Sequence, residues 1–176
     1  MIRRLARLAT DEGGAALAEF ALVAPFMMLI LFGSVESLQA VETQRRVAHI
    51  SAAVADLVAQ NRIVTDNDLA DVFQAGGLLM DPLPSATLGQ RVASFTADSG
   101  GTVTLDWSKN APTPYAGSEG LTLPNGYLKP AQSVVVADVS YTYQPALRWV
   151  LPSSMVFQKR VYLHPRLTTQ VTYQPS

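Results

Sequence analysis

AALAEFALVAPFMMLILF, residues 15–32, decides how the rest of the chain is read. In these 18 positions the only charge is Glu19 and the only helix breaker is Pro25. As a helix the run measures about 27 Å at roughly 1.5 Å per residue, close to the hydrocarbon thickness of a bilayer, and it can extend through Gly33, Ser34 and Val35. Arg3, Arg4 and Arg7 precede it. The positive-inside tendency therefore puts the N-terminus in the cytoplasm and everything after Val35 outside, although Arg45 and Arg46 weaken the asymmetry.

A plain signal peptide or signal anchor is the simplest explanation of such a run, and two details count against it. The run is longer than a secretory apolar core of roughly 7 to 15 residues, and it is followed only by Val35-Glu36-Ser37, a poor small-x-small cleavage site. The second detail is the acid. A carboxylate at mid-bilayer costs on the order of 2.5 to 3.5 kcal/mol, somewhat less near the interface, and an idle anchor has no reason to carry one. Glu19 thus reads as functional, and the question is what positive charge it meets.

Working outward, the whole chain has 176 residues, a net charge of −1 and a charged fraction of 15%. That fraction is well below the roughly 25% of an ordinary soluble chain. This balance excludes a polybasic nucleic-acid binder and an acidic tail protein. Cysteine is absent and histidine occurs twice, which removes disulfide scaffolds, thiolate zinc sites and cysteine nucleophiles together. The lack of cysteine names no compartment, because the chain beyond the apolar run is long enough for a core of its own.

The order of features is a basic leader, Asp11-Glu12-Gly13-Gly14, then Ala15-Ala16-Leu17-Ala18-Glu19-Phe20, then the remaining apolar residues. This resembles the class III signal of the type IV pilin superfamily. The resemblance implies that a prepilin peptidase cuts on the cytoplasmic side between Gly14 and Ala15, leaving Glu19 fifth in the mature chain. Phe20 stands where the tight-adherence (Tad, or Flp) branch carries Tyr or Phe. Gly13 is an off-by-one alternative that makes Glu19 sixth. The spacing has a physical reason: cleavage creates an ammonium at Ala15, and a staggered neighbour can bring that ammonium to Glu19, pairing two charges that are each costly alone in lipid.

Within that branch the chain looks most like a TadE-like minor pseudopilin, since the major pilins are little more than the helix. Thr104-Leu105-Asp106-Trp107-Ser108 and Leu163-His164-Pro165-Arg166 also resemble segments of TadE-like chains. The resemblance implies the inner membrane, a prepilin peptidase and other pilin-like subunits as partners, with incorporation into an extracellular pilus as a further expectation.

Beyond the bilayer the helical period continues, with Val47, Ile50, Val54, Leu57 and Val58 on one stripe and Glu42, Arg45, His49, Asp56 and Gln60 opposite. The helix is expected from Ala15 to about Asn61, with Pro25 removing one backbone bond and kinking or loosening it, either harmlessly or as a local melting point for transfer from bilayer to filament. Thr65 and Asp68 form an imperfect capping box before a short helix with Leu69, Val72 and Phe73 on one face, ended by Gly76-Gly77 and Asp81-Pro82.

The period then switches to 2. A strand near Arg91 to Thr96, a turn at Asp98-Ser99-Gly100-Gly101, and alternation at Val103, Leu105 and Trp107 make a hairpin. Val135 to Tyr143, Phe157 to Leu163, and Leu167, Thr169, Val171 and Tyr173 supply further strands. Residues 108–130 are rich in Pro, Gly and Asn without a period, a surface loop that is either variable structure or a contact surface. The fold class is α+β: a long N-terminal transmembrane and stalk helix plus a short helix on an antiparallel sheet, pilin-like. The organisation is a leader at 1–14, a transmembrane helix at 15–35, its stalk continuation at 36–62 and a periplasmic head at 63–176.

Chemistry is otherwise sparse. Phosphate-loop, His-Glu-x-x-His and nucleophile-elbow motifs are all missing. His49 and His164 read as surface residues, and Asp106, Asp138 and Glu119 as single carboxylates in unrelated segments. No cofactor, metal, nucleic acid or small-molecule substrate is expected, and the chain is expected not to be an enzyme. The leading function is a minor pilin-like subunit required to assemble a Tad/Flp pilus used in surface adherence. The alternatives are an uncleaved single-pass inner-membrane protein whose periplasmic domain scaffolds another envelope complex and, last, a membrane-anchored hydrolase.

Overall fold

The computed structural model describes residues 12–145 and 151–175, so the basic leader with Arg3, Arg4 and Arg7 lies outside the described residues. Helix α1 spans Glu12–Ala59, 48 residues with Pro25 inside it. Proline removes one hydrogen bond yet does not end the helix. The chain divides into two compact units: Met1–Ala40 with Pro145–Ser153, and Val41–Gln144 with Ser154–Ser176.

In the first unit, α1 is apolar on every side. Its most apolar 18-residue window has a mean hydropathy of 2.2 and none of it is buried. Leu17, Phe20, Leu22, Phe26, Met27, Leu29 and Ile30 all stand exposed. Such a surface is unfavourable in water and ordinary in hydrocarbon. Ser34 and Ser37 turn their hydroxyls back to Leu31 O and Gly33 O, both at 2.8 Å, so neither is left unsatisfied.

The second unit is α+β, as the change of period predicts. After α1 come β1 (Ile63–Val64), α2 (Asp66–Leu78), a 3₁₀ turn (Ser85–Thr87), β2 (Leu88–Ala97), β3 (Val103–Asn110), β4 (Ser133–Tyr143), β5 (Met155–Leu163) and β6 (Thr172–Tyr173). The main sheet has the order β3-β2-β4-β5 and is antiparallel throughout, while β1 and β6 pair in parallel. Cross-strand partners share a face. Arg91, Asp138 and Arg160 therefore point to one side, and Gln90, Val139 and Lys159 to the other.

The helices lie on the second of these faces. Ser51 of α1 donates to Ala137 O at 2.9 Å, and the Gln90 amide donates to Phe73 O of α2 at 2.9 Å. The buried stripe of α1 here is Val47, Ile50, Ser51, Val54, Ala55, Val58 and Ala59. Leu57, expected on that stripe, is 39% exposed, because at about 100° per residue it falls about 100° round from Val58 and beyond Ile50 at the edge of the buried arc. The other face is covered by the irregular segment 111–132. Leu128 is buried there with Ala93, Phe95, Ala97, Val134 and Val136, and Leu121, Leu123 and Tyr162 pack against them.

Two expectations about element ends are corrected. Helix α2 does not stop at the double glycine but runs through Gly76 and Gly77 to Leu78. Gly76 makes room for Gln90: a Cβ at that position would meet Gln90 Oε1 at 2.1 Å, so a larger residue there must displace the Gln90 side chain. The last expected strand, from Leu167 to Tyr173, shrinks to Thr172–Tyr173. Residues 166–170 bend instead, bringing Thr169 O to the Ser133 hydroxyl and leaving Leu167 exposed. At the other end of α2 the capping box is complete: Thr65 Oγ1 accepts from the Asp68 N–H at 3.3 Å, and Asp68 Oδ2 accepts from the Thr65 N–H at 2.9 Å.

Candidate functional site

The residues singled out by the sequence, Gly14, Ala15, Glu19, Phe20 and Pro25, all lie on α1. The Gly14–Ala15 bond lies near the start of the described part of α1. Gly13 and Gly14 weaken the helix there, since each glycine costs a helix about 1 kcal/mol relative to alanine. Ala15 and Glu19 are one turn apart on one side of the helix, and Phe20 projects about 100° further round. Glu19 and Phe20 are both exposed, within a surface otherwise made of aliphatic and aromatic side chains. The arrangement presents one carboxylate on an apolar rod, a set-up suited to capturing one cation in a low-dielectric surround. The alternative site at Val35-Glu36-Ser37 lies within the same unbroken helix, and Glu36 is only 2% exposed.

The α+β unit holds a second constellation, which the sequence reading dispersed. Asp138 and Glu119, taken as unrelated single carboxylates, are joined by arginines from the two flanking strands. Asp138 is 1% exposed at the middle of β4. Its Oδ2 accepts from Arg91 Nε at 2.9 Å and Nη2 at 2.6 Å, and from Arg160 Nη2 at 3.1 Å, while its Oδ1 accepts from Arg160 Nε at 2.5 Å. Glu119 Oε2 lies 3.2 Å from Arg160 Nε. The same guanidiniums donate outward to the covering segment: Arg91 to Glu119 O at 2.9 Å, Arg160 to Gly120 O at 2.8 Å and Thr122 O at 3.2 Å.

Tyr115 stacks on Arg91, with Cζ 4.5 Å from the ring centre. Burial works against the Arg160 charge, but the hydrogen bonds and attraction from Asp138, helped by Tyr162, raise its pKa above the ordinary arginine value. Burial also pushes the Tyr115 phenol up; Asp138 and Glu119 add to the rise and the two arginines oppose it. The charges here tie strands and loop together, so segment 111–132 is pinned structure rather than free loop.

A third cluster joins the β1–β6 pair to β3. Trp107 Nε1 donates to Val171 O at 2.8 Å, and Lys109 Nζ donates to Tyr173 OH at 2.8 Å and Asp66 Oδ1 at 3.1 Å. Lys109 titrates higher than usual, first because of the Tyr173 hydroxyl and then Asp66, with burial opposing both. His49 is exposed on α1, and His164 Nδ1 lies 2.7 Å from Ser133 O. Among the described residues, no group of three or more His, Asp or Glu side chains could hold a metal ion.

An apolar N-terminal helix long enough to cross a bilayer, joined in sequence to an α+β unit, fits a single-pass membrane protein. The comparison with protein families agrees with the resemblance read from the leader: the TadE family model, described as TadE-like protein, matches residues 14–56. Over that stretch, which is less than half of the chain, the protein is similar to TadE-like proteins. Neither a curated protein nor a solved structure matches the chain.

Proposed function

We propose that the chain is a structural, non-enzymatic minor pilin-like subunit, cut by a prepilin peptidase between Gly14 and Ala15 and required to assemble a Tad/Flp pilus used in surface adherence. One observation carries the reading: the family match begins at Gly14 and spans the apolar part of α1, the part of the chain that processing would leave at the new N-terminus. The glycine pair lowers the cost of unwinding the helix at the bond to be cut, which a peptidase needs in order to hold an extended substrate. Hydrolysis frees the Ala15 ammonium, and Glu19 of a staggered neighbour neutralises it in lipid. The three leader arginines favour a cytoplasmic N-terminus in the inner membrane, with the α+β unit periplasmic until assembly.

The test is the N-terminus of the mature membrane protein, by intact mass, with and without a co-expressed prepilin peptidase. A chain beginning at Ala15 only when the peptidase is present supports the proposal. A second reading, an uncleaved inner-membrane protein whose periplasmic domain scaffolds another envelope complex, draws on the unbroken passage of α1 through the Gly14–Ala15 bond. An intact Met1 end under both conditions favours it and overturns the first.

A further inference from the structure

We infer that the outer edge of β3 is a strand-addition site for an extended segment of another protein, apolar on one face and carrying a basic residue on the other. β3 ends the main sheet, with β2 on one side only. Ala97 of β2, opposite Val103, spends its N–H on Gln132 O at 2.8 Å and its C=O on Ala131 N at 3.1 Å. Ala97 and Val103 therefore exchange no hydrogen bonds, and in an antiparallel ladder such a pair turns the N–H and C=O of the edge residue outward. Leu105, two residues on, does the same. Four backbone groups thus face away from the sheet along Val103 to Leu105, and the ligand that satisfies such a row is another strand.

The two faces of this edge specify what the strand carries. On one face, Val103 and Leu105, 39% and 46% exposed, form the lip of a groove of about 450 Å³ whose other walls are Phe95, Leu121, Leu123 and Pro124. Natural edge strands are commonly protected by charges, and here the groove side carries none; alternate apolar side chains of an added strand fit it. On the opposite face stands Asp106, the extra residue where the β2–β3 register shifts between Ser94 and Phe95. Its Oδ2 accepts from Ser94 Oγ at 3.1 Å and Thr96 Oγ1 at 2.7 Å, which fixes the carboxylate beside the edge. It is exposed and has no cation partner among the described residues. An arginine or lysine on the incoming strand supplies that charge. Pairing β3 with β3 of a second copy instead sets two Asp106 carboxylates on one ribbon with no cation, which argues for a different partner. The inference does not depend on cleavage at Gly14.

The test uses the full chain in detergent micelles and the capped octapeptide Thr-Val-Arg-Val-Thr-Val-Thr-Val, with its Arg-to-Gln counterpart. Amide hydrogen exchange at Val103 and Leu105 is measured with increasing peptide. Saturable protection of those two amides is expected, with the Gln peptide binding several-fold more weakly to the native chain and equally to Asp106→Asn. Leu105→Pro removes an outward N–H without touching the β2–β3 ladder, so it should leave Ser94 and Thr96 protected and weaken peptide binding at least about tenfold. If Leu105→Pro also loosens β2, the Asp106→Asn comparison decides alone. No protection up to about 1 mM peptide, a limit weaker than any useful docking, overturns the inference. So does protection that appears with protein concentration alone, which would mean a second copy occupies the edge.

Discussion

Replacing Asp138 by Asn tests the charge arrangement at the centre of β4 with a change of almost no volume. The amide offers one acceptor where the carboxylate offers two, and its N–H₂ group must face a guanidinium. With the amide nitrogen in the Oδ1 position, the 2.5 Å bond from Arg160 Nε becomes a donor facing a donor; flipped, the residue loses Arg91 on both nitrogens. Either way two largely buried guanidiniums lose their shared anion, and the half-exposed Glu119 can offset this only on Arg160.

Breaking such a pair costs about 3 to 5 kcal/mol. At a typical slope of roughly 1 to 3 kcal/mol per molar urea, the unfolding midpoint should fall by about 1 to 5 M. The assay is urea unfolding of the full chain in micelles, followed by near-ultraviolet circular dichroism. A shift worth less than about 0.5 kcal/mol refutes the reasoning, because it places Asp138 among ordinary surface charges. A compensated variant, Asp138→Leu with Arg91→Met and Arg160→Met, should recover most of the loss in the sheet. It should nevertheless leave the Gly120 to Leu123 amides exchanging fast, since the arginine bonds to Glu119 O, Gly120 O and Thr122 O are gone.

The adjacent glycines of α2 should respond with opposite signs. Gly77→Ala, with nothing within 4 Å of its new Cβ, should raise stability by up to about 1 kcal/mol, whereas Gly76→Ala must push aside a Gln90 that is 3% exposed and should lower it by about 1 to 3 kcal/mol in the same unfolding assay. Asp68 has its pKa lowered by the Thr65 hydroxyl and then the Thr65 N–H, so its contribution to the cap is present above the ordinary carboxylate pKa and is lost as pH falls through the depressed folded value. Exchange of the Asp68 and Leu69 amides should speed up in that acid window, and Asp68→Asn should remove the dependence. In the assembly pathway, Gly14→Val should block appearance of the Ala15 terminus. Glu19→Gln should leave processing intact but cut recovery in sheared pili, and normal piliation with both variants would contradict the pilin-like reading.

What was legible in the sequence was periodic or local. The apolar run, the shift from a period near 3.6 to one of 2, the Asp98 turn and the Thr65–Asp68 box all depend on neighbours a few residues apart. The Asp138 tie depends on Arg91 and Arg160, separated from it by 47 and 22 residues, and no spacing rule connects them before strand order is known. Leu167 to Tyr173 alternates like a strand, yet the pull of Ser133 and Trp107 on the carbonyls of Thr169 and Val171 bends it. Gly76-Gly77 reads as a stop signal by composition, and only the approach of Gln90 explains a glycine inside the helix.

The parallel pairing of β1 with β6 has a consequence in time as well as in space. Ile63, just after α1, finds its partner only at Thr172, and Ala59 O waits for the Arg166 N–H. A chain that emerges with its N-terminus first therefore exposes the first partner of this closure long before the last. Contacts of such long separation close late and slowly. That closure waits for β6, so shortening the chain before Thr172 should leave the β1 backbone without its partner strand while the four-stranded sheet, which contains neither β1 nor β6, still forms.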